Sequence, residues 1–260
     1  MSAPSYTVVT CHFGDTFWIE HTLGRVDQLS DGRIEGVLIV DQDRQSGLNR
    51  DLLAGLPRVQ EVLEFPADHE QVAILGHDHP AALNQALRQV DFCTSHVMVL
   101  DSDCFPIDTS WLDRLQDTTM AADPAKWGLT HPCLMVFPSA LAPQLDFSEG
   151  LLEVGMDTGR LVGLQATRLG QQVEFSRPEG AFMGRKGTFY LGRSVYHHGS
   201  SSFASSADAR LLGAVDVRTE AVYRQAVQEG RFSLTRMERA SLACEQVRAR
   251  VRSVAKRRTS

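Results

Sequence analysis

The chain has 260 residues, of which 43% are hydrophobic and 22% are charged, with a formal net charge of −6. These values are typical of a globular protein and exclude a largely disordered chain. The acidic balance argues against a basic nucleic-acid-binding protein. No run of about 18 apolar residues is present to span a membrane. The first five residues lack the charged start and apolar run of a signal peptide, so we expect none.

Cysteine usage indicates the redox compartment. The five cysteines are odd in number and widely spaced, with no C-x-x-C pair: Cys11, Cys93, Cys104, Cys133 and Cys244. This pattern argues against a disulfide framework and against a structural zinc site. We therefore expect a cytoplasmic protein.

Short apolar runs alternate with helical patterns through the first half of the chain. Strands are predicted at 6–11, 36–40, 59–65 and 96–100, and helices at 14–29, 80–90 and 110–120. An alternating order of strands and helices predicts an α/β fold with a mostly parallel sheet flanked by helices.

The second half is less regular. Strands are predicted at 127–137 and 187–198, a helix at 157–169, and helices from residue 208 onward. From Leu234 an apolar stripe recurs at intervals of three and four residues. We predict one domain over residues 1–232 and an amphipathic C-terminal helical extension over 233–260.

The C-terminal extension is strongly basic. Residues 248–260 contain six cations and no acid: Arg248, Arg250, Arg252, Lys256, Arg257 and Arg258. A basic amphipathic helix is typical of peripheral contact with an anionic membrane, here the inner face. The alternative is a solvated helix end, where cations complement the helix dipole. The sequence leaves both open.

Polar side chains follow three of the four predicted strands in the first half. They are Cys11-His12, Asp41-Gln42-Asp43 and Asp101-Ser102-Asp103. Parallel sheets bind ligands at the carboxyl ends of their strands. These segments are therefore the first candidates for a functional site.

The Asp101-Ser102-Asp103 segment stands out by its context. It follows the apolar run 97–100 and precedes a turn at Cys104-Phe105-Pro106. Two carboxylates at a strand end can face one Mg²⁺ or Mn²⁺ ion, and such ions usually bridge to substrate phosphates. The alternative is a solvated turn without a metal ion.

Four segments together resemble a known family. They are Val8-Val9-Thr10-Cys11-His12-Phe13, Ile39-Val40-Asp41-Gln42-Asp43, the run from Ala81 to Leu87, and Val99-Leu100-Asp101-Ser102-Asp103. Their order and spacing resemble the A-type (GT-A fold, Rossmann-like) glycosyltransferases, close to the inverting glycosyltransferase family 2 of bacterial polysaccharide synthases. The resemblance covers residues 5–120 well and continues more loosely to about residue 205.

The resemblance implies roles for these residues. Asp41 would contact the nucleotide base, with Asp43 completing the acidic pair. The loop Cys11-His12-Phe13 would hold the base and ribose. Asp101, Ser102 and Asp103 would form the metal and diphosphate motif. His79 stands where the family often has a basic residue, with an ordinary polar loop as the alternative, and the family's Gly-Gly acceptor loop is missing.

The resemblance also implies a catalytic base and late metal ligands. Asp157 stands at the start of the predicted helix at 157–169, where the family places an acidic pair, so it would take the proton from the acceptor. Its alternative role is to cap that helix. His197 and His198 precede a Gly-Ser run at the family's late metal position. Adjacent strand residues face opposite ways, so we expect only one of these histidines to reach the ion.

The expected function is metal-dependent transfer of a sugar from a nucleotide-sugar, with UDP expected as the nucleotide, to a hydroxyl of a glycan or other acceptor. The resemblance implies inversion at the anomeric carbon. A sugar nucleotidyltransferase is one alternative, although Gly14-Asp15-Thr16 replaces the Gly-rich basic loop of those enzymes. A non-catalytic relative that binds a glycan or a protein partner is the other. No nucleic-acid partner is expected.

Overall fold

The computed structural model describes residues 3–14, 16–42, 46–65, 78–123, 128–150, 158–180, 187–199 and 217–240. The strands are β1 (Tyr6–His12), β2 (Ile34–Asp41), β3 (Val59–Glu64), β4 (His96–Leu100), β5 (Cys104–Pro106), β6 (Thr119–Ala122), β7 (Thr130–Pro138), β8 (Glu174–Ser176), β9 (Thr188–Tyr190) and β10 (Val195–His197). The α-helices are α1 (Phe17–Leu29), α2 (Ser46–Ala54), α3 (Asp78–Gln89), α4 (Val162–Arg168) and α5 (Val217–Gln228).

A mixed seven-stranded sheet forms the centre, in the order β3-β2-β1-β4-β7-β6-β8. Strands β3, β2, β1 and β4 are parallel, β7 is antiparallel to both β4 and β6, and β8 is parallel to β6. The predicted α/β fold with a mostly parallel sheet and flanking helices is therefore confirmed.

Helices cover both faces of the sheet because its strands are apolar on both sides. Val8 packs in one core cluster with Ile19 and Leu23 of α1, and the next residue, Val9, packs in another with Leu83 and Leu87 of α3. Successive strand residues point to opposite faces, so α1 and α3 lie on opposite sides. The sheet is thereby sandwiched between helices, which leaves its strand ends as the place for polar groups.

A second, three-stranded sheet extends this body, in the order β5-β10-β9. Its aromatic residues Phe105, Phe189 and Tyr196 pack with Trp18 of α1 and Tyr223 of α5 in a third core cluster. The small sheet thus brings β10 next to the turn that follows β4.

The helix predicted over residues 110–120 is wrong. The structure has a 3₁₀ turn at Leu112–Arg114 and then strand β6. Trp111 is fully buried and donates a hydrogen bond from Nε1 to the carbonyl of Leu29 at 3.2 Å. Leu115 is extended, and Thr119 Oγ1 accepts a bond from the Gln116 amide at 2.9 Å. Tertiary packing and side-chain bonds to the backbone therefore stop the helix after one turn.

Two other predicted elements are shorter than expected. The strand predicted over residues 187–198 is a hairpin, because Leu191, Gly192 and Arg193 adopt left-handed φ angles of 52°, 62° and 68°. Such angles reverse the chain tightly between β9 and β10. The helix predicted from residue 157 begins at Val162 among the described residues, with Leu161 as its N-cap, and Asp157 itself lies outside them.

The described part of the C-terminal region ends in a helical segment at residues 236–240. Thr235 Oγ1 accepts a hydrogen bond from the Glu238 amide at 3.2 Å, and a Glu238 carboxylate oxygen accepts one from the Thr235 amide at 2.7 Å. This reciprocal pair is a capping box. The six cations of residues 248–260 lie outside the described residues. Among those described, no helix combines the length and apolar composition needed to cross a membrane.

Candidate metal and nucleotide site

The sheet order places a topological switch point at the carboxyl ends of β1 and β4. After β1 the chain builds outward through β2 and β3, and then returns to place β4 on the other side of β1. Ligands in α/β proteins bind at such switch points, outside the strand ends. Here Phe13 follows β1 and Asp101 follows β4.

The segment Asp101-Ser102-Asp103 forms a tight turn at this edge. The Cys104 amide donates to the Asp101 carbonyl at 2.9 Å, which closes the turn. Thr22 of α1 donates from Oγ1 to the Ser102 carbonyl at 2.8 Å. Asp101 and Ser102 are partly exposed, whereas Asp103 is buried. The turn therefore presents two carboxylates on a backbone that is fixed at both ends.

His197 is brought to these carboxylates by the small sheet. It pairs with Cys104 across β10 and β5, and the His198 amide donates to the Asp103 carbonyl at 3.0 Å. His197 Nε2 lies 3.4 Å from Asp103 Oδ1 and 3.6 Å from Asp101 Oδ2. Ligand atoms of the three side chains all lie within 4.8 Å of one another, so they can face a single ion.

Burial and the neighbouring charges shift the pKa values of Asp101 and His197. Burial raises the pKa of the Asp101 carboxyl, His197 opposes the rise and Asp103 adds to it, and the net value is about 7. Burial disfavours the charged form of His197, yet the neighbouring Cys133 and Asp103 raise the pKa of its imidazole well above the ordinary value. Two carboxylates this close repel each other unless a cation lies between them.

His198 lies in a different environment. Its Nδ1 is 2.9 Å from the Tyr196 hydroxyl, and its Nε2 is 3.2 Å from Glu220 Oε2 on α5. Its ring stacks on Trp18 with centroids 4.2 Å apart, and Trp18 Nε1 donates to Glu220 Oε1 at 3.0 Å. Of the two predicted histidines, His197 therefore faces the aspartates and His198 links β10 to α1 and α5.

Two further potential ligands, which the sequence analysis did not identify, lie beside His197. His131 and Cys133 are two residues apart on β7, so both side chains point to the same face. The Asp101 amide donates to the Cys133 carbonyl at 3.1 Å, which places this strand against the aspartate turn. Ligand atoms of His131, Cys133 and His197 also lie within 4.8 Å of one another.

The Cys133 side chain is completely buried. Burial opposes its ionisation, but a hydrogen bond from Cys104 and the charge of His197 lower the pKa of the Cys133 thiol well below its ordinary value. All four cysteines in the described ranges are free thiols. Only the H-x-C spacing on a predicted strand could have pointed to the pair His131 and Cys133.

The remaining predicted residues in the described ranges differ in their exposure. His12 and Asp41 are opposite each other in the β1–β2 register, and each is 1% exposed. Cys11 and Phe13 are partly exposed. His79 is partly exposed in the first turn of α3, the helix that leads into β4.

Two predicted residues, Asp43 and Asp157, lie outside the described residues.

The resemblance implies Mg²⁺ or Mn²⁺, and the donor set fits such an ion. Asp101 and Asp103 provide carboxylate oxygens, which both cations prefer. His197 adds an imidazole nitrogen within the same 4.8 Å. Magnesium binds almost only oxygen, so this nitrogen favours Mn²⁺ of the two.

Comparisons with known proteins identify no family. No family model matches the chain, and no curated protein matches it. Among solved structures it is similar to 4-diphosphocytidyl-2C-methyl-D-erythritol synthase from Anaerococcus prevotii, at 11% identity and a TM-score of 0.46, covering 68% of this chain and 90% of that one. It is similar to the galactosyltransferase LgtC, at 14% identity and a TM-score of 0.48, covering 65% of this chain and 73% of that one. It is also similar to S. aureus TarS, at 14% identity and a TM-score of 0.45, covering 66% of this chain and 57% of that one.

Proposed function

We propose that the chain is a metal-dependent glycosyltransferase that moves a sugar from a nucleotide-sugar, with UDP as the expected nucleotide, to an acceptor hydroxyl with inversion. The observation that carries the proposal is the convergence of Asp101, Asp103 and His197 beside the carboxyl ends of β1 and β4. A cation bound by carboxylates at such an edge is suited to neutralising phosphate groups.

The proposed roles follow from where the residues lie. Asp101, Asp103 and His197 would hold Mg²⁺ or Mn²⁺, which supplies positive charge to the leaving diphosphate. Cys11 and Phe13 are partly exposed at the end of β1 and His12 and Asp41 are buried there, and these four residues are proposed to form the base and ribose site. A family role for His198 as metal ligand is not part of the proposal, because its ring lies against Trp18 and Glu220.

The chemistry also requires a base. The acceptor oxygen forms a bond to the anomeric carbon while the bond from that carbon to the diphosphate breaks, and the diphosphate leaves with the electron pair. Asp157 is proposed to take the acceptor proton. Its support is the sequence pattern alone, since it lies outside the described residues.

The first experiment is a thermal-shift panel of nucleoside diphosphates and their sugars, with and without Mn²⁺. A ligand of the folded state raises the melting temperature by mass action. We expect a Mn²⁺-dependent shift with one nucleotide that is lost in Asp103→Asn. The matched control is Asp117→Asn, because the Asp117 side chain is 95% exposed. The absence of a shift with every nucleotide would contradict the proposal.

Product analysis then identifies the reaction. Release of a free nucleoside diphosphate from a nucleotide-sugar, with the sugar found on an acceptor, supports glycosyl transfer. Release of pyrophosphate from a nucleoside triphosphate and a sugar phosphate would instead indicate nucleotidyl transfer, and the proposed function would be wrong even if the nucleotide-dependent shift is observed.

A further inference from the structure

We propose that His131, Cys133 and His197 form a second cation site, which binds a thiophilic divalent ion such as Zn²⁺. The proposal goes beyond the proposed function, because it needs neither a nucleotide nor sugar transfer. It concerns a different donor set from the aspartate pair, although the two sets share His197.

The geometry of the backbone brings the three ligands together. His131 and Cys133 lie on one face of β7 because they are separated by one residue. The antiparallel register of β7 with β4 pairs Leu134 with Leu100, so Cys133 lies beside the turn that begins at Asp101. The ring centroids of His131 and His197 are 5.0 Å apart.

The chemistry of this donor set differs from that of the aspartates. One sulfur and two imidazole nitrogens are the ligands that zinc prefers, and three protein ligands with one open position are typical of reactive zinc sites. Zinc–sulfur and zinc–nitrogen bonds are about 2.3 and 2.0 Å long. Ligand atoms within 4.8 Å of one another therefore need only small side-chain adjustments to meet on one ion.

The ligands are also held in place, as a metal site requires. Cys133 is buried and accepts a hydrogen bond from Cys104, while His131 Nδ1 accepts one from the Cys133 amide at 3.2 Å. Such an acceptor role leaves Nε2 of His131 as the nitrogen that carries the proton or binds the ion. His131 is partly exposed, which provides a way in for the ion.

Cobalt(II) tests the proposal directly, because its complexes with thiolates absorb in the near ultraviolet. The reduced, metal-free full-length chain is titrated with CoCl₂ without nucleotide. We expect a charge-transfer band that saturates at one ion per chain and disappears when Zn²⁺ is added. Cys133→Ser should lose the band, whereas Cys93→Ser should keep it because Cys93 is exposed and outside both donor sets. His131→Gln should weaken cobalt binding by about tenfold or more.

Two results would overturn the proposal. One is the absence of a charge-transfer band in the wild-type chain, a measurement that does not depend on the folding of any variant. The other is a band that persists in Cys133→Ser but is lost in Cys104→Ser, which would make Cys104 the ligand. Neither result affects the proposed function, which is tested by the Mn²⁺-dependent nucleotide shift. Conversely, a cobalt–thiolate band in a chain that binds no nucleotide supports this site and contradicts only the proposed function.

Discussion

His197 and His198 are consecutive residues whose imidazoles belong to two different clusters. Nε2 of His197 lies 3.4 Å from Asp103, whereas Nε2 of His198 lies 3.2 Å from Glu220 on α5. Successive side chains of a strand point in opposite directions, so β10 presents one ring to the candidate metal site and the other to the third core cluster. Because the two residues are adjacent, the contact of His198 with α5 helps to position His197, the candidate metal ligand.

The first prediction separates these two histidines. His198→Ala removes the bonds to Tyr196 and Glu220, and a buried partner left unsatisfied costs about 1–3 kcal/mol. We expect a melting temperature several degrees lower, with the stabilisation by Mn²⁺ and nucleotide retained. His197→Ala should instead abolish that stabilisation. Thermal unfolding of both variants, each with and without Mn²⁺ and nucleotide, measures both effects.

His198→Gln provides the control, because an amide can still hydrogen-bond to Glu220 and recover part of the lost stability. The assignment fails if His198→Ala loses the Mn²⁺-dependent stabilisation while His197→Ala keeps it.

The second prediction concerns pH. Burial raises the pKa of Asp101 to about 7 and, against the effect of burial, Cys133 and Asp103 raise the pKa of His197 well above its ordinary value. A metal ligand must lose its proton before it binds. Mn²⁺ affinity should therefore increase as pH rises, and below about pH 7 it should fall by up to about tenfold per pH unit for each of these two groups that must release a proton. Electron paramagnetic resonance of free Mn²⁺ in titrations at several pH values measures this dependence.

The metal-free chain should show a linked change in stability. A carboxyl whose pKa is higher in the folded than in the unfolded chain holds its proton more tightly when folded. The Asp101 contribution to the free energy of unfolding is therefore fully present below about pH 4 and is lost as pH rises through about 7. In Asp101→Asn this contribution to the pH dependence of stability should disappear.

Equal Mn²⁺ affinity at about pH 5.5 and 7.5 would contradict the predicted pH dependence of metal binding.

The sequence predicted the part of the candidate metal site that directly follows a single strand, β4. The apolar run at residues 96–100 coincides with β4, so Asp101 and Asp103 could be placed at a carboxyl edge without a structure. The closeness of His131 and Cys133 to Asp101 could not be predicted, because it results from the antiparallel pairing of β7 with β4. Register between distant strands leaves no mark in the local sequence pattern.

The errors in the fold have a similar origin. The apolar spacing around residues 110–120 is compatible with a helix, but the burial of Trp111 and the extended conformation of Leu115 stop it after one 3₁₀ turn. Local propensity decides such a segment only when tertiary contacts do not compete with it. The same limit applies to Asn84, which lies in the run from Ala81 to Leu87 and makes contacts with Asp146 and Phe147 that the local sequence pattern does not indicate.

The third prediction assigns Asn84 a structural role. Its Nδ2 donates to Asp146 Oδ1 at 2.7 Å, and its Oδ1 accepts a bond from the Phe147 amide at 2.8 Å. Asn84→Ala would leave a buried amide without its partner, which costs about 1–3 kcal/mol. We expect a lower midpoint in urea unfolding. A matched control is Gln85→Ala on the same helix, because Gln85 is only partly buried.

The thermal-shift panel of nucleotides tests the alternative role of Asn84, which is to bind the ligand. If Asn84→Ala loses nucleotide binding with an unchanged urea midpoint, this side chain belongs to the ligand site, and its structural role would be wrong.

The last prediction uses two glycines in helices that differ in what an added Cβ would contact. A Cβ at Gly24 of α1 meets nothing within 4 Å, whereas a Cβ at Gly163 of α4 would lie 2.7 Å from Thr130 and 2.9 Å from Phe175. Gly24→Ala should stabilise the chain by about 0.5–1 kcal/mol, since alanine is the better helix former. Gly163→Ala should destabilise it by about 1–3 kcal/mol through overpacking of α4 against β7 and β8. Urea unfolding measures both, and an equal effect of the two substitutions would mean that α4 does not pack against the sheet as described.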